Sequence, residues 1–263
     1  MPPKHSKMLA EERRREIAKL VRKEGSAAVE DLVRRFNVSA VTLRADLGQL
    51  AREGVLIRSY GGAILPEEQP VRDAPLNVKK TYNQTQKMRI AAAALRYIQP
   101  RQTVMLDSGT TAAELARAIK WANFEALTVI THAVNIAQEF LNYPKISVIM
   151  IGGIMRHASG SFVGPQAEQF LHQLHADHFF LGIDGLDKEM RLSTPDLLEA
   201  QLNKIMMQVS NEVTVITDAS KVGRRSLSVI ADLSEAKRLI TDNRVNEDLL
   251  KKIRHTGIEV VIA

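Results

Sequence analysis

Cysteine is absent from the 263 residues, which excludes disulfides and every zinc site built on thiolates, and which agrees with a reducing cytosol. No apolar run approaches the length that crosses a bilayer, and the basic N-terminus lacks the apolar core of a secretory signal. Internal repeats and low-complexity segments are missing too. What remains is a chain 45% hydrophobic and 25% charged, long enough for two domains or one large one. The expected location is the cytoplasm.

The charge is uneven. Residues 1–60 carry 13 Lys and Arg against 8 Asp and Glu, so that segment supplies +5 of the net charge of +6. Basic charge concentrated in a short segment is an electrostatic footprint for a polyanion, although many solvated faces are basic as well.

The stretch from Val38 to Leu50 gives that charge a purpose. Ser39 suits a helix N-cap, because its hydroxyl can accept from the free amides of the first turn. Leu43, Leu47 and Leu50 recur at i, i+4 and i+7 and form one apolar stripe. Ala40, Thr42, Arg44 and Gln49 lie off the stripe, a mix suited to the major groove, where Arg forks onto guanine and Gln onto adenine. The plain alternative is an amphipathic helix with a solvated outer face. Its neighbours favour recognition. A helix is expected from Leu9 to about Lys23, with Ile17, Leu20 and Val21 inward and Arg13, Arg14, Arg15, Arg22 and Lys23 outward. Gly25 ends it. A short strand over Ser26–Val29, a helix from Glu30 to Phe36 and a turn at Asn37 and Val38 then lead to Ser39. Helix, short turn, helix is the helix-turn-helix order. After Gly54, Val55–Arg58 and Ala63–Leu65 read as a hairpin with its tip at Ser59–Gly62, a wing. Ser39, Arg58 and Tyr60 are expected on the DNA backbone, and Ala40, Thr42, Arg44 and Gln49 on the bases.

The string V-S-x-x-T-L-R-x-D-L-x-x-L-x-x-x-G-V-L-x-R-x-Y-G-G-A, from Val38 to Ala63, resembles the N-terminal domain of the DeoR family of bacterial transcription regulators. That family often has a second basic residue where this chain has Ala45, a departure that bears on which bases are read.

Residues 66–86 have a linker's composition, with Pro66, Pro70 and Pro75 among alternating polar residues. A helix is expected from about Lys87 to Ile98, ended by Pro100. Strand-then-helix units follow, which implies a mainly parallel sheet between helices. The expected strands are Thr103–Leu106, Leu127–Thr131, Ser147–Ile151, His178–Gly182, Glu212–Thr217, Arg238–Thr241 and Glu259–Ile262. The domains are therefore 1–65, a winged helix-turn-helix, and 87–263, an α/β effector-binding domain, with 66–86 between them.

Polar or glycine-rich turns follow five of these strands. Asp107-Ser108-Gly109-Thr110-Thr111 opens a helix over Ala112–Lys120, and its amides and hydroxyls make an anion cradle; an ordinary strand–helix turn capped by Thr is the alternative. Thr131 and His132, Gly152 and Gly153, Gly182 to Gly185 with Asp184, and the Asp218–Lys221 run fall at corresponding ends. Open α/β sheets bind ligands at this edge. Together the turns outline a pocket for a phosphorylated polyol or sugar. His172, His175 and His178 have a helical spacing, but His178 starts a strand, and no metal is expected.

This half also resembles the DeoR family, whose effector domain is similar to the sugar-phosphate isomerase fold. The matching positions are D-S-G-T-T, I-G-G at Ile151–Gly153, Ser161, Gly164, G-I-D-G at Gly182–Gly185, Glu199-Ala200 and D-A-S-K. His132 stands where the family commonly has Asn, and Arg191 where Gly commonly precedes Ser193-Thr194. The general pattern is closest to the branch linked to amino-sugar and galactitol use. The resemblance implies a sequence-specific repressor of a sugar catabolism operon, controlled by a phosphorylated sugar and not an enzyme. It binds double-stranded operator DNA as a homo-oligomer, a dimer or tetramer, and needs no cofactor. The expected effector residues are Asp107, Ser108, Gly109, Thr110, Thr111, Thr131, His132, Gly152, Gly153, Asp184, Gly185, Glu199 and Lys221. The alternative is an isomerase-like enzyme with an appended DNA-binding domain, in which Asp107, Asp184, Glu199 and Lys221 serve as acid, base and electrostatic stabiliser. The glycine-rich loop with further acidic and lysine residues that the isomerase fold normally uses is not found. A third possibility is a DNA-architectural protein with no effector.

Overall fold

The computed structural model describes residues 9–24, 26–53, 55–59, 62–64, 73 and 75–263, without the side chains of 22–24, 26, 57–59 and 64. It divides into two compact units, 1–69 and 70–263. No described helix is long and apolar enough to cross a membrane.

The first unit runs α1 (Ala10–Glu24), β1 (Ser26–Ala28), α2 (Val29–Phe36), α3 (Ala40–Arg52), β2 (Ile57–Ser59) and β3 (Gly62–Ile64). Asn37 closes α2 in the left-handed region at φ 50°, and its amide reaches the Val33 carbonyl at 2.9 Å. That turn redirects the chain into α3, whose Leu43, Leu47 and Leu50 meet Ile17, Val21, Leu32 and Leu56 in one core. The strands form an antiparallel sheet in the order β1-β3-β2. Gly62 has no substitute here, because a Cβ would collide with the Ala27 carbonyl on the adjoining strand. Arg13 departs from expectation: it is buried, its Nε donating at 2.6 Å to Asp46 on the inner face of α3. A carboxylate on an apolar face needs a cation beside it, and Arg13 lies within reach.

The second unit continues with α4 (Leu76–Thr81), α5 (Gln84–Leu95), β4 (Thr103–Leu106), α6 (Thr110–Trp121), β5 (Leu127–Thr131), α7 (Val134–Glu139), β6 (Ile146–Met150), β7 (Ile154–Arg156), β8 (Ser161–Val163), α8 (Pro165–Leu171) and β9 (Ala176–Leu181). Then come β10 (Gly185–Leu186), β11 (Arg191–Thr194), α9 (Leu197–Gln208), β12 (Ser210–Ile216), β13 (Ser228–Asp232), β14 (Arg238–Thr241), α10 (Glu247–His255) and β15 (Glu259–Ile262). The seven expected strands all pair in one parallel sheet, ordered β15-β14-β12-β9-β4-β5-β6. Alternate residues leave opposite faces of a strand, so each strand feeds two cores. Met105, Phe179, Leu181, Val213 and Val215 pack with Leu202, Met206 and Ile253 from α9 and α10. Val104, Leu106, Val129, Phe180 and Ile216 pack with Ile90, Leu115, Ile119 and Ile136 from α5, α6 and α7.

Two elements differ from the sequence-based expectation. The second half of the stretch read as a linker folds into α4 and the start of α5, with Pro75 at the N-cap of α4. A small antiparallel sheet, β10-β11-β13, accompanies the main one and has a bulge between Leu192 and Ser193.

The strand order sets where a ligand can bind. From β4 the chain proceeds outward to β5 and β6; from β9 it proceeds the other way, to β12, β14 and β15. The helices after β4 and β9 pack on opposite faces, which makes the carboxyl ends of those two strands the switch point where open α/β sheets bind ligands.

Candidate functional site

On α3 the Ser39 hydroxyl caps the helix, accepting from the Thr42 amide at 3.1 Å, and the Thr42 hydroxyl lies 2.9 Å from it. Ala40 is half-buried against the core. The Gln49 amide group is engaged as well: it donates to Glu53 at 2.8 Å and accepts from Arg52 at 2.6 Å. Arg44 is exposed and makes no hydrogen bond or ion pair with a described residue. Val41, 73% exposed, and Ala45 share its face, one turn apart. The sequence reading passed over Val41; its absence from the leucine stripe was the available signal. Arg58 lies on β2, and Tyr60 falls outside the described residues.

At the sheet edge, Asp107 and Ser108 follow β4 and are buried. Gly109 is the N-cap of α6 at φ −66° and ψ 160°, ordinary extended backbone, and no side chain caps the helix. The first intrahelical acceptor, the Gly109 carbonyl, is used by Ala113, so the helix itself leaves the amides of its first turn unused. Glycine is needed at 109 for closeness. A Cβ there would sit 3.2 Å from Asp107 Oδ2, and one on Gly182, after β9, 2.7 Å from the same oxygen.

Glu199, at the first turn of α9, accepts from Ser108 Oγ at 3.0 Å and Thr194 Oγ1 at 2.9 Å, with Arg156 at 3.6 Å. Burial nevertheless raises its pKa above the usual carboxylate range, against the pull of Arg156. Asp107 is pushed up to about 7 by burial and then by Glu199. His132, after β5, has no exposed surface, and burial lowers it to about 4. Both its ring nitrogens, and Asp107 Oδ1, lack a hydrogen-bond partner among the described residues. Asp107, His132 and Glu199 each offer an atom within 4.8 Å of the others.

Asp184 bridges two lysines, Lys79 at 3.0 Å and Lys221 at 3.1 Å. Burial would raise its pKa, but Lys221 and Lys79 outweigh that and hold it at about 2. Lys79 comes from α4, which the sequence reading had placed in a linker. Lys87, also missed, donates to the Lys79 carbonyl at 2.6 Å; burial lowers it to about 8 although Asp218 opposes. Arg156 on β7 pairs with Asp73 and Asp196 besides Glu199. Nothing local in the sequence marked these three: Lys79 and Arg156 meet their partners across the fold, and Lys87 reaches back to the preceding helix.

Other expected residues have structural work. The Thr131 hydroxyl spans the Leu106 carbonyl and the Ala133 amide. A Cβ at Gly185 would meet the Arg224 carbonyl and Ser193 Oγ, each at 2.7 Å, which makes it a packing glycine. Gly153 has φ 152° and lies against the Val163 carbonyl, while Gly152 meets nothing. A polar cavity of about 300 Å³ lies beside α6, lined among others by Lys80, Thr110, Glu114, Arg117 and Asn135; of the expected effector residues only Thr110 borders it. The histidines at 172, 175 and 178 do not converge: His178 is stacked on Phe180 inside the unit, and His175 is exposed.

Comparison with known proteins bears on both units. The profile of the DeoR-like helix-turn-helix domain matches residues 13–69, and that of the DeoR C-terminal sensor domain matches 82–243. The chain belongs to the DeoR family. It is a transcription regulator that joins a DNA-binding domain to a sensor domain. A putative aga operon transcriptional repressor of Escherichia coli O157:H7 is 38% identical over 95% of this DeoR-family chain and 93% of its own. The regulator GlpR of Haloferax volcanii is 34% identical over 97% and 98%, and the glycerol-3-phosphate regulon repressor of Escherichia coli K12 is 30% identical over 86% and 88%. Among solved structures, ribose 5-phosphate isomerase A of Methanocaldococcus jannaschii aligns at 19% identity over 53% of this chain and 55% of its own, with a TM-score of 0.40. That last likeness is too slight to argue from.

Proposed function

We propose that this chain represses an operon for carbohydrate use, and that a phosphorylated sugar or polyol bound at the carboxyl ends of β4 and β9 changes its affinity for the operator. The observation that carries the reading is the uncapped first turn of α6 at Gly109, opening at the topological switch of the sheet. Free helix amides with a positive dipole end are an anion site. Lys79 and Lys221 bring further positive charge to the exit of β9, where Asp184 offers a carboxylate for hydroxyl groups. The aga-operon and glycerol-3-phosphate names of its relatives point to the same class of metabolite.

The sensor reading is preferred to an isomerase because three of the four candidate acid and base groups are committed to protein partners, Asp107 being the exception. Lys221 is paired with Asp184, and Glu199 is held by Ser108 and Thr194. The domain limits fit this division of labour, with operator contact in 1–65 and effector binding in 87–263, to which α4 now adds Lys79. A homo-oligomer follows from the two-fold symmetry of paired half-sites.

Thermal shift against phosphorylated sugars and polyols, each beside its unphosphorylated form, tests the proposal. A ligand that binds only the folded state raises the melting temperature by mass action. Stabilisation confined to phosphorylated compounds, lost in Gly109→Val while operator binding persists, is the expected result. No stabilisation by any of them, or turnover of a sugar phosphate abolished by Lys221→Ala, would overturn it.

A further inference from the structure

We infer that Asp107, His132 and Glu199 form a site for a divalent transition-metal ion, of the Mn2+ or Zn2+ class, at the exit of β4. The inference rests on reading this sheet edge as a ligand site and adds an ion to it. Three facts carry it. The three side chains come from separate elements, the turns after β4 and β5 and the first turn of α9, yet their donor atoms lie within 4.8 Å of one another. Metal–ligand bonds of about 2.1 Å place tetrahedral donors about 3.4 Å apart, so small side-chain rotations close the shell.

The second fact is the state of the donors. Asp107 Oδ1 and both nitrogens of His132 are buried without a hydrogen-bond partner among the described residues. Buried polar groups are normally satisfied, and an imidazole with neither nitrogen engaged is costly unless something arrives to bond it. The third is charge. Two carboxylates share a buried site, and none of the ion pairs of the described residues involves Asp107; of the two, Glu199 alone meets Arg156, which also serves Asp73 and Asp196. A dication would satisfy both carboxylates and the imidazole at once.

The chemistry of the set selects the ion. One imidazole nitrogen with two carboxylates suits Mn2+, Fe2+ or Zn2+ better than the all-oxygen shells of Ca2+ and Mg2+. His132 is buried with both ring nitrogens unpartnered among the described residues, so either is free to ligate. Glycine at 109 and 182 leaves the room in which the Asp107 carboxylate sits, since a Cβ at either position would press on Oδ2. Three protein ligands leave a coordination position for a hydroxyl oxygen of the effector.

The test uses tag-free full-length protein stripped with a chelator and titrated with Mn2+, followed by electron paramagnetic resonance. One Mn2+ per chain, with nitrogen coupling from a single imidazole in the echo-envelope modulation, is expected. Asp107→Asn should weaken Mn2+ binding at least tenfold, while His172→Ala/His175→Ala should leave it unchanged. Absence of nitrogen coupling in the wild-type protein, or affinity that is unaltered by Asp107→Asn and lost with the surface histidines, would overturn the inference. Because the coupling is read on the wild type, a variant that fails to fold does not remove the test. Stabilisation by a phosphorylated sugar in excess chelator, without Mn2+ binding, would sink the ion and leave the sensor standing. Mn2+ binding without any sugar response would do the reverse.

Discussion

Asp46 and Asp107 are both aspartates with 4% exposure, one in each unit, and their surroundings are opposite. Asp46 takes Arg13 on one oxygen at 2.6 Å and Arg14 on the other at 3.5 Å. Asp107 has only backbone amides of its own turn, those of Ser108 and of Gly109, the latter on Oδ2 at 3.2 Å, and nothing on Oδ1 among the described residues. The same contrast separates two buried histidines. His178 bonds Thr214 at 2.7 Å, whereas His132 bonds nothing described. A buried polar group whose partners are all supplied by the fold belongs to the fold. One whose partners are missing is kept for something that arrives.

The largest expected effect tests the committed side. Arg13→Met keeps the apolar length of the side chain but leaves Asp46 with only its longer contact to Arg14. Removing one partner of a buried pair costs about 3–5 kcal/mol, and Arg14 places the expectation near the lower end. Hydrogen exchange over residues 10–24 and 40–52 reads it in the first unit. The double variant Arg13→Met/Asp46→Leu should recover most of the loss. A single variant no worse than a surface substitution would show that burial had been mistaken for commitment.

His178 sharpens the comparison through pH. Burial lowers its pKa to about 4, with Glu212 opposing and Arg238 assisting, whereas an unfolded histidine titrates near 6.5. The unfolded chain therefore binds the proton first, and the stability contributed by the neutral ring is full above pH 6.5 and lost as pH falls toward 4. Between pH 7 and 4.5 this amounts to about 2 kcal/mol. Urea unfolding at both values should show His178→Gln losing that much less than the wild type. His132 remains in both proteins and cancels. Equal losses would mean that His178 gives up its proton no more readily when folded.

What the sequence made legible follows from the range of the forces concerned. Strands and amphipathic helices are written in neighbouring residues, and so the leucine stripe of α3 and all seven strands of the main sheet could be read. The cap at Ser39 was equally local. Arg13 was missed although it lies four residues before Ile17 on the inward stripe of α1; what the sequence does not show is its partner, a carboxylate 33 positions later. The candidate site divides in the same way. D-S-G-T-T declared its turn, but Arg156, Lys79 and Lys87 act through partners on other strands and helices, and prolines disguised α4. The strand β10, two residues long, was too short for alternation to show.

The last expected effect is on operator binding and not on folding; it concerns the outer face of α3, where an uncommitted group is exposed and not buried. Thr42 and Gln49 were expected to read bases, yet the first is spent on Ser39 and the second on Arg52 and Glu53. Arg44 has no such bond to a described residue and shares its face with Val41 and Ala45, which add shape without hydrogen bonds. Arg44→Ala should therefore weaken specific operator binding by about 1–3 kcal/mol while random DNA loses less, and leave folding stability unchanged. Titration against an operator and a scrambled duplex at one salt concentration separates the two, because a phosphate contact costs both alike and a base contact costs the operator more. Equal losses would place Arg44 on the backbone and leave base reading to α3 residues whose side chains must first release their partners within the helix.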